Sequence, residues 1–122
     1  LTWYGHPGDG TSIAAYCGGG GSAKTGVVNK IVVNYAGGAE IQEISTGDNV
    51  AVHVLIHQDP LTNQINLYGA VGSAVQVYKL PEGRLISEVT VEGDGCNVVA
   101  LNPMGNELAV GCESGNVHVY RL

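Results

Sequence analysis

Phenylalanine is absent from this chain, and tryptophan and methionine occur once each. Nineteen glycines stand beside that scarcity, which points to many tight turns rather than to helices. Positive charge is also scarce. Five Lys and Arg face eleven Asp and Glu, for a formal net charge of −6. A general nucleic-acid binder is disfavoured, because such affinity rests on Lys and Arg neutralising phosphates. An anionic membrane surface is disfavoured for the same reason. Long apolar runs are missing too. Val50-Ala51-Val52-His53-Val54-Leu55-Ile56 is among the longest, far short of the roughly 20 residues of a spanning helix. No signal peptide is visible and the first residue is Leu1, so the chain reads as an excerpt from a longer protein. Cys17, Cys96 and Cys112 are an odd, widely spaced set without a Cys-x-x-Cys pair. That argues against a disulfide framework and for reduced structural thiols in the cytosol. No serine sits in Gly-x-Ser-x-Gly, so nothing suggests a hydrolase elbow.

What is present fits one small packed domain, or part of a larger one. The 122 residues are 44% hydrophobic and 13% charged. The chain also repeats itself. Val75-Gln76-Val77-Tyr78-Lys79-Leu80 returns as Val117-His118-Val119-Tyr120-Arg121-Leu122, an offset of 42 residues. Leu67–Ser73 matches Ala109–Gly115 at the same offset. A repeat of about 40–45 residues built of short strands is the signature of a WD-type β-propeller. Alternating apolar positions such as Val117, Val119 and Leu122 support strands. Pro81-Glu82-Gly83, Asn102–Asn106 and Glu113-Ser114-Gly115 supply turn chemistry.

The third unit, residues 92–122, is an incomplete blade with strands over Asn97–Leu101 and Glu107–Gly111 and a third ending in Val-Tyr-Arg-Leu. Many WD repeats have Val-Trp there, and the Trp-Asp dipeptide is missing. The second unit, residues 50–91, has strands over Val50–Ile56, Gln64–Ala70, Ala74–Leu80 and Arg84–Val91. The first, residues 1–49, has Leu1–His6, Thr11–Cys17, Asn29–Tyr35 and Glu40–Ser45. The expected fold is therefore all-β: a partial WD-type β-propeller of two and a half to three four-stranded antiparallel blades. Propellers close with about four to eight blades. The expectation is a fragment of a longer propeller of about seven blades, completed by further blades or by other copies of the chain, because open sheet edges and apolar blade faces need cover.

Residues 18–29 form an insertion between the second and third strands of the first unit. Gly18-Gly19-Gly20-Gly21 lead through Lys24-Thr25-Gly26 to Val27-Val28-Asn29. Four glycines in a row suggest a backbone shape that side chains would forbid, and long loops on rigid scaffolds carry function. The stretch comes close to a phosphate loop, G-x-x-x-x-G-K-[ST], with Ala23 in place of the glycine before the lysine. A phosphate loop must open a helix, and the residues that follow are β-branched and read as a strand. The plain alternative is an ordinary hairpin loop. Lys24-Thr25-Gly26 and Asn29 are more specific than a neutral linker requires.

A first blade carrying Gly-Gly-Gly-Gly-x-x-Lys-Thr-Gly-[Val/Ile]-x-Asn resembles the Sec-twelve and prolactin regulatory element-binding family over about Ile13–Val33. Trp3-Tyr4-Gly5 is loosely similar to the region leading into the same strand, and Val28 stands where some members have proline. Beyond that stretch the likeness is only generically WD-like. The family's members are exchange factors for the Sar-type small GTPase. They are held at the cytosolic face of the endoplasmic reticulum by a single membrane helix, and they start assembly of the coat protein complex II vesicle coat.

The resemblance implies that the glycine-rich loop is the exchange element, acting without covalent chemistry. It implies that Asn29 matches the motif asparagine, and that Val27 and Val28 wedge against the GTPase switch region. It further implies a potassium ion held by oxygens of Gly18, Gly19, Gly20, Gly21 and Asn29. Hard cations prefer such oxygen ligands. Lys24 and Thr25 lie inside the motif without assigned roles.

Other candidates are weaker. His6, His53, His57 and His118 are scattered, and no third ligand is evident beside His53 and His57. Asp9, Asp48, Asp59 and Asp94 sit near turn residues, where capping explains them. Two function classes follow: an exchange factor, or a WD-repeat interaction scaffold without exchange activity.

Overall fold

The computed structural model describes residues 1–5, 12–20, 26–35 and 41–122. Among these there is no helix, and eleven strands form three antiparallel sheets. The first sheet has the order β1 (Thr2–Gly5), β2 (Ser12–Gly18), β3 (Asn29–Tyr35), β4 (Ile41–Gly47). The second runs β5 (Ala51–Gln58), β6 (Ile65–Val71), β7 (Ala74–Leu80), β8 (Arg84–Thr90). The third holds β9 (Cys96–Leu101), β10 (Glu107–Cys112), β11 (Val117–Arg121). Each sheet is a meander and none closes on itself. Where sequence and structure are both described, the strand bounds agree to within about two residues. His6, Asp9, Gly21, Lys24, Thr25 and Glu40, all named above, lie outside the described residues.

Two cores hold the sheets together. Ile13, Ala15, Ile31, Val33 and Ile44 of the first sheet pack against Val54, Ile56, Leu67, Tyr78 and Leu80 of the second. Tyr68, Ala70, Val75 and Val77 of the second sheet pack against Cys96, Val99, Leu108 and Val110 of the third. The middle sheet is thus buried on both faces. That is why β6 and β7 read as nearly continuous apolar runs rather than as clean alternation. At both junctions the first strand of the following sheet lies across the preceding one. β5 lies against β1, β2 and β3, and β9 lies against β5, β6 and β7. The edge strand β8 is exposed along most of its length.

The repeat holds in three dimensions with one correction. Tyr78 pairs with Leu67, which pairs with Ile56. Tyr120 pairs with Leu108, which pairs with Leu101. β7 and β11 therefore correspond at the 42-residue offset, but Leu67 corresponds to Leu108 and not to Ala109. The β6–β7 turn spans Gly72-Ser73, between paired Val71 and Ala74. The β10–β11 turn is longer, with Gly111 paired to Val117 and Cys112 N–H donating to Asn116 O at 2.9 Å. A one-residue slip reverses every side chain in a strand, so the turn length decides which residues are core. β5 and β9 match at 45 residues, and each carries a bulge after its first pair, Ala51↔Val71 and Cys96↔Cys112.

His53 ties the second sheet to the third. Val99 N–H donates to its Nδ1 at 3.1 Å, so that nitrogen must be unprotonated. Burial holds the His53 pKa below its ordinary value of 6.5. A depressed folded-state pKa gives stability that is full above about pH 6.5 and is lost as the pH falls toward the folded value. The unfolding midpoint is expected to drop on acidification through that window. In His53→Leu that part of the pH dependence should vanish, with about 1 kcal/mol lost for the orphaned Val99 N–H. An unaltered pH profile in the variant would remove His53 from the junction's titration.

Candidate functional site

The first sheet places the glycine-rich loop. β2 ends at Gly18 and β3 begins at Asn29, so ten residues separate the strands where the corresponding β6–β7 turn has two. A strand, not a helix, follows the loop. The phosphate-loop reading fails for that reason, since among the described residues no helix N-terminus faces the glycines.

At the loop's base, Asn29 is 3% exposed. Its neighbours Ile31 and Val33 bury in the first core. Asn29 Nδ2 donates to Gly47 O at 2.9 Å. Asn29 pairs with Gly47, and Lys30 pairs with Ser45, so β4 bulges at this point. Gly47 takes a φ of +69° in that bulge, a conformation glycine adopts freely. The bulge therefore aims the acceptor carbonyl, and β3–β4 pairing brings the asparagine to it.

Gly19 forms the opposite wall. A Cβ built at Gly19 would lie 2.1 Å from Asn29 Oδ1 and 2.6 Å from its Cα. Only glycine allows that approach. Gly18 and Gly20 flank it, and a Cβ at Gly18 would meet nothing within 4 Å. Past the turn, Gly26 has a φ of +75°. Val27 and Val28 then project outward, 57% and 65% exposed. Two adjacent β-branched side chains this open, directly before a buried asparagine, form an exposed apolar pair at an anchored strand start. Lys30 follows and pairs with Glu43 at 2.9 Å on the surface, where such pairs contribute little.

Two shallow recesses flank this pair. One, of about 210 Å³, is bounded by Tyr16, Cys17, Gly18, Gly19, Val27 and Val32 among others. The other, of about 320 Å³, is bounded by Gly26, Val27, Val28, Asn29, Gly47 and Asp48. Burial pushes the Cys17 thiol pKa up, so this thiol is not an activated nucleophile. The structure thus brings Gly18, Gly19, Val27, Val28 and Asn29 together, with Gly20 following Gly19 in the chain. Sequence reasoning missed Gly47 and read Asp48 only as a turn residue; the register of β3 on β4 is what brings both to this recess. A larger recess, about 410 Å³, lies between the second and third sheets beside Tyr68, Val77 and Met104. Its carboxylate, Asp59, is committed to its own turn, accepting from Leu61 N–H at 2.8 Å.

His53 and His57 are hydrogen-bonded strand residues. His53 accepts from Val99, and His57 Nε2 lies 3.1 Å from Pro103 O. No protein-family model matches the chain, and no curated protein matches it.

Proposed function

We propose that this chain is part of a WD-type β-propeller that acts as a guanine nucleotide exchange factor for a Sar-type small GTPase. The observation that carries this reading is the anchored loop. The exposed Val27-Val28 pair rises from a base fixed by Asn29, Gly19 and Gly47. The repeated junction, in which each sheet receives the first strand of the next, supports reading the sheets as consecutive blades. Val98, Val117 and Val119 on the uncovered face of the third sheet, 47%, 68% and 65% exposed, would then be covered by a further blade or another copy.

An exchange factor binds the nucleotide-free GTPase better than the loaded form, and the same coupling weakens nucleotide binding in return. A contact pair held next to a fixed strand start suits that task because little entropy is lost on docking. Val27 and Val28 are the contact residues in this reading, and Asn29 is a positioning residue. Oxygen donors of the kind potassium takes lie at the base, where Asn29 Oδ1 sits over Gly19 and Asp48 bounds the same recess. Gly18, Gly19, Gly20 and Asn29 would hold the ion, which would stiffen the loop; Gly21 lies outside the described residues. The proposed setting is the cytosolic face of the endoplasmic reticulum, at the start of coat protein complex II assembly, with membrane attachment through a segment other than these residues.

In the full protein, Asn29→Ala is expected to slow stimulated GDP release by at least about tenfold without unfolding the sheets. In the same assay, replacing potassium by sodium should slow it if the ion stiffens the loop. An unchanged rate in Asn29→Ala would remove this residue from the mechanism. An interaction scaffold without exchange activity draws on the exposed Val98, Val117 and Val119 face. In that case the protein would leave GDP release unaltered.

A further inference from the structure

The four positions at the rim of the third sheet differ together from their counterparts in the second. With the register above, Asp94, Cys96, Cys112 and His118 correspond to Asn49, Ala51, Val71 and Gln76. Every one changes from a poor metal ligand to a good one. Asp94 comes from the β8–β9 connection, Cys112 from the end of β10 and His118 from β11. One ligand atom from each of Asp94, Cys112 and His118 lies within 4.8 Å of the other two. Cys96 is the cross-strand partner of Cys112, and both are buried.

We propose that Asp94, Cys112 and His118 bind a thiolate-preferring divalent transition metal of the zinc class, with Cys96 adjacent for the fourth position. A thiol, an imidazole and a carboxylate are the donors zinc takes, and thiolate excludes magnesium and calcium. Tetrahedral bonds of about 2.0–2.3 Å put ligand atoms about 3.3–3.8 Å apart, so the cluster closes on an ion with side-chain shifts of about 1 Å. The carboxylate is already oriented. Asp94 Oδ1 accepts from Gly95 N–H at 3.0 Å and Ser114 N–H at 3.2 Å, and Oδ2 accepts from the Ser114 hydroxyl. His118 stacks on Tyr120, ring centroids 6.2 Å apart. A zinc-class ion takes cysteine as the thiolate, not the thiol. Binding therefore displaces a proton: Cys112 S–H plus the dication gives the metal thiolate and one proton released to water.

Titration of the full chain with zinc is expected to show one ion bound, with a proton released. Cobalt should give the absorption of a thiolate-ligated tetrahedral site. Cys112→Ser and His118→Gln should each weaken zinc by about 100-fold or more, whereas Cys17→Ser should bind as wild type. His118 is half-exposed on an edge strand, so its variant still reports if Cys112→Ser misfolds. Failure to take up stoichiometric zinc, or uptake that survives both substitutions, would overturn the site.

Discussion

Gly19→Ala is expected to collapse the loop base, costing about 2–6 kcal/mol and, on the proposed exchange-loop reading, stimulated exchange with it. The added methyl would stand 2.1 Å from Asn29 Oδ1, 2.6 Å from its Cα and 2.9 Å from its Cγ. The nearest backbone atom belongs to β3, which is pinned by pairing to both β2 and β4, so it cannot yield cheaply. Overpacking of this kind costs about 1–3 kcal/mol. Gly19 also has a φ of +154°, and forcing an L residue there adds about 1–3 kcal/mol. Gly18→Ala is the matched control. It sits one residue earlier, in β2, with nothing within 4 Å of the new Cβ. It should change stability by less than about 0.5 kcal/mol. Denaturant unfolding of the two variants measures the difference. Equal midpoints would show that Asn29 does not press on Gly19.

Leu108→Ala is expected to be as damaging, through a different cause. Leu108 is fully buried in the core between the second and third sheets. Its neighbours come from β9, β10 and β11 on one side and from the middle sheet on the other, so the site collapses poorly. Removing such a side chain costs about 2–5 kcal/mol. Leu67→Ala, at the corresponding position of the second sheet and also fully buried, should lose a similar amount. Leu61, 81% exposed, should tolerate alanine within about 0.5 kcal/mol. A small loss at Leu108 would mean that the third sheet does not dock as described.

These contrasts mark what the sequence made legible. Strand positions followed from β-branched alternation and Gly, Pro and Asn turns, because both signals are local. The bounds of Asn29–Tyr35 and Ala74–Leu80 are those read from the residues alone. Side-chain facing in β10 was not legible. It depends on one extra turn residue before Val117, and no pattern inside β10 reports it. The same slip hid the Asp94–Cys112–His118 cluster, whose members meet only through the register of three strands. At the loop, the glycines and the Val-Val-Asn run were visible as a unit. The burial of Asn29 was not, since its acceptor Gly47 arrives through a bulge in β4 eighteen residues away. Apparent divergence between repeats has the same origin. Val75 and Val77 are buried while their matches Val117 and Val119 are 68% and 65% exposed, because a sheet covers the first pair and none among the described residues covers the second.

The most direct test is the rate of GDP release from a Sar-type GTPase mixed with the full protein, wild type and Val27→Ser/Val28→Ser. Both valines are solvent-exposed, so the double variant should fold with an unshifted unfolding midpoint. The expected result is acceleration by the wild type and loss of most of it in the double variant. Acceleration undiminished by the variant, or none from the wild type, would contradict the exchange-loop reading.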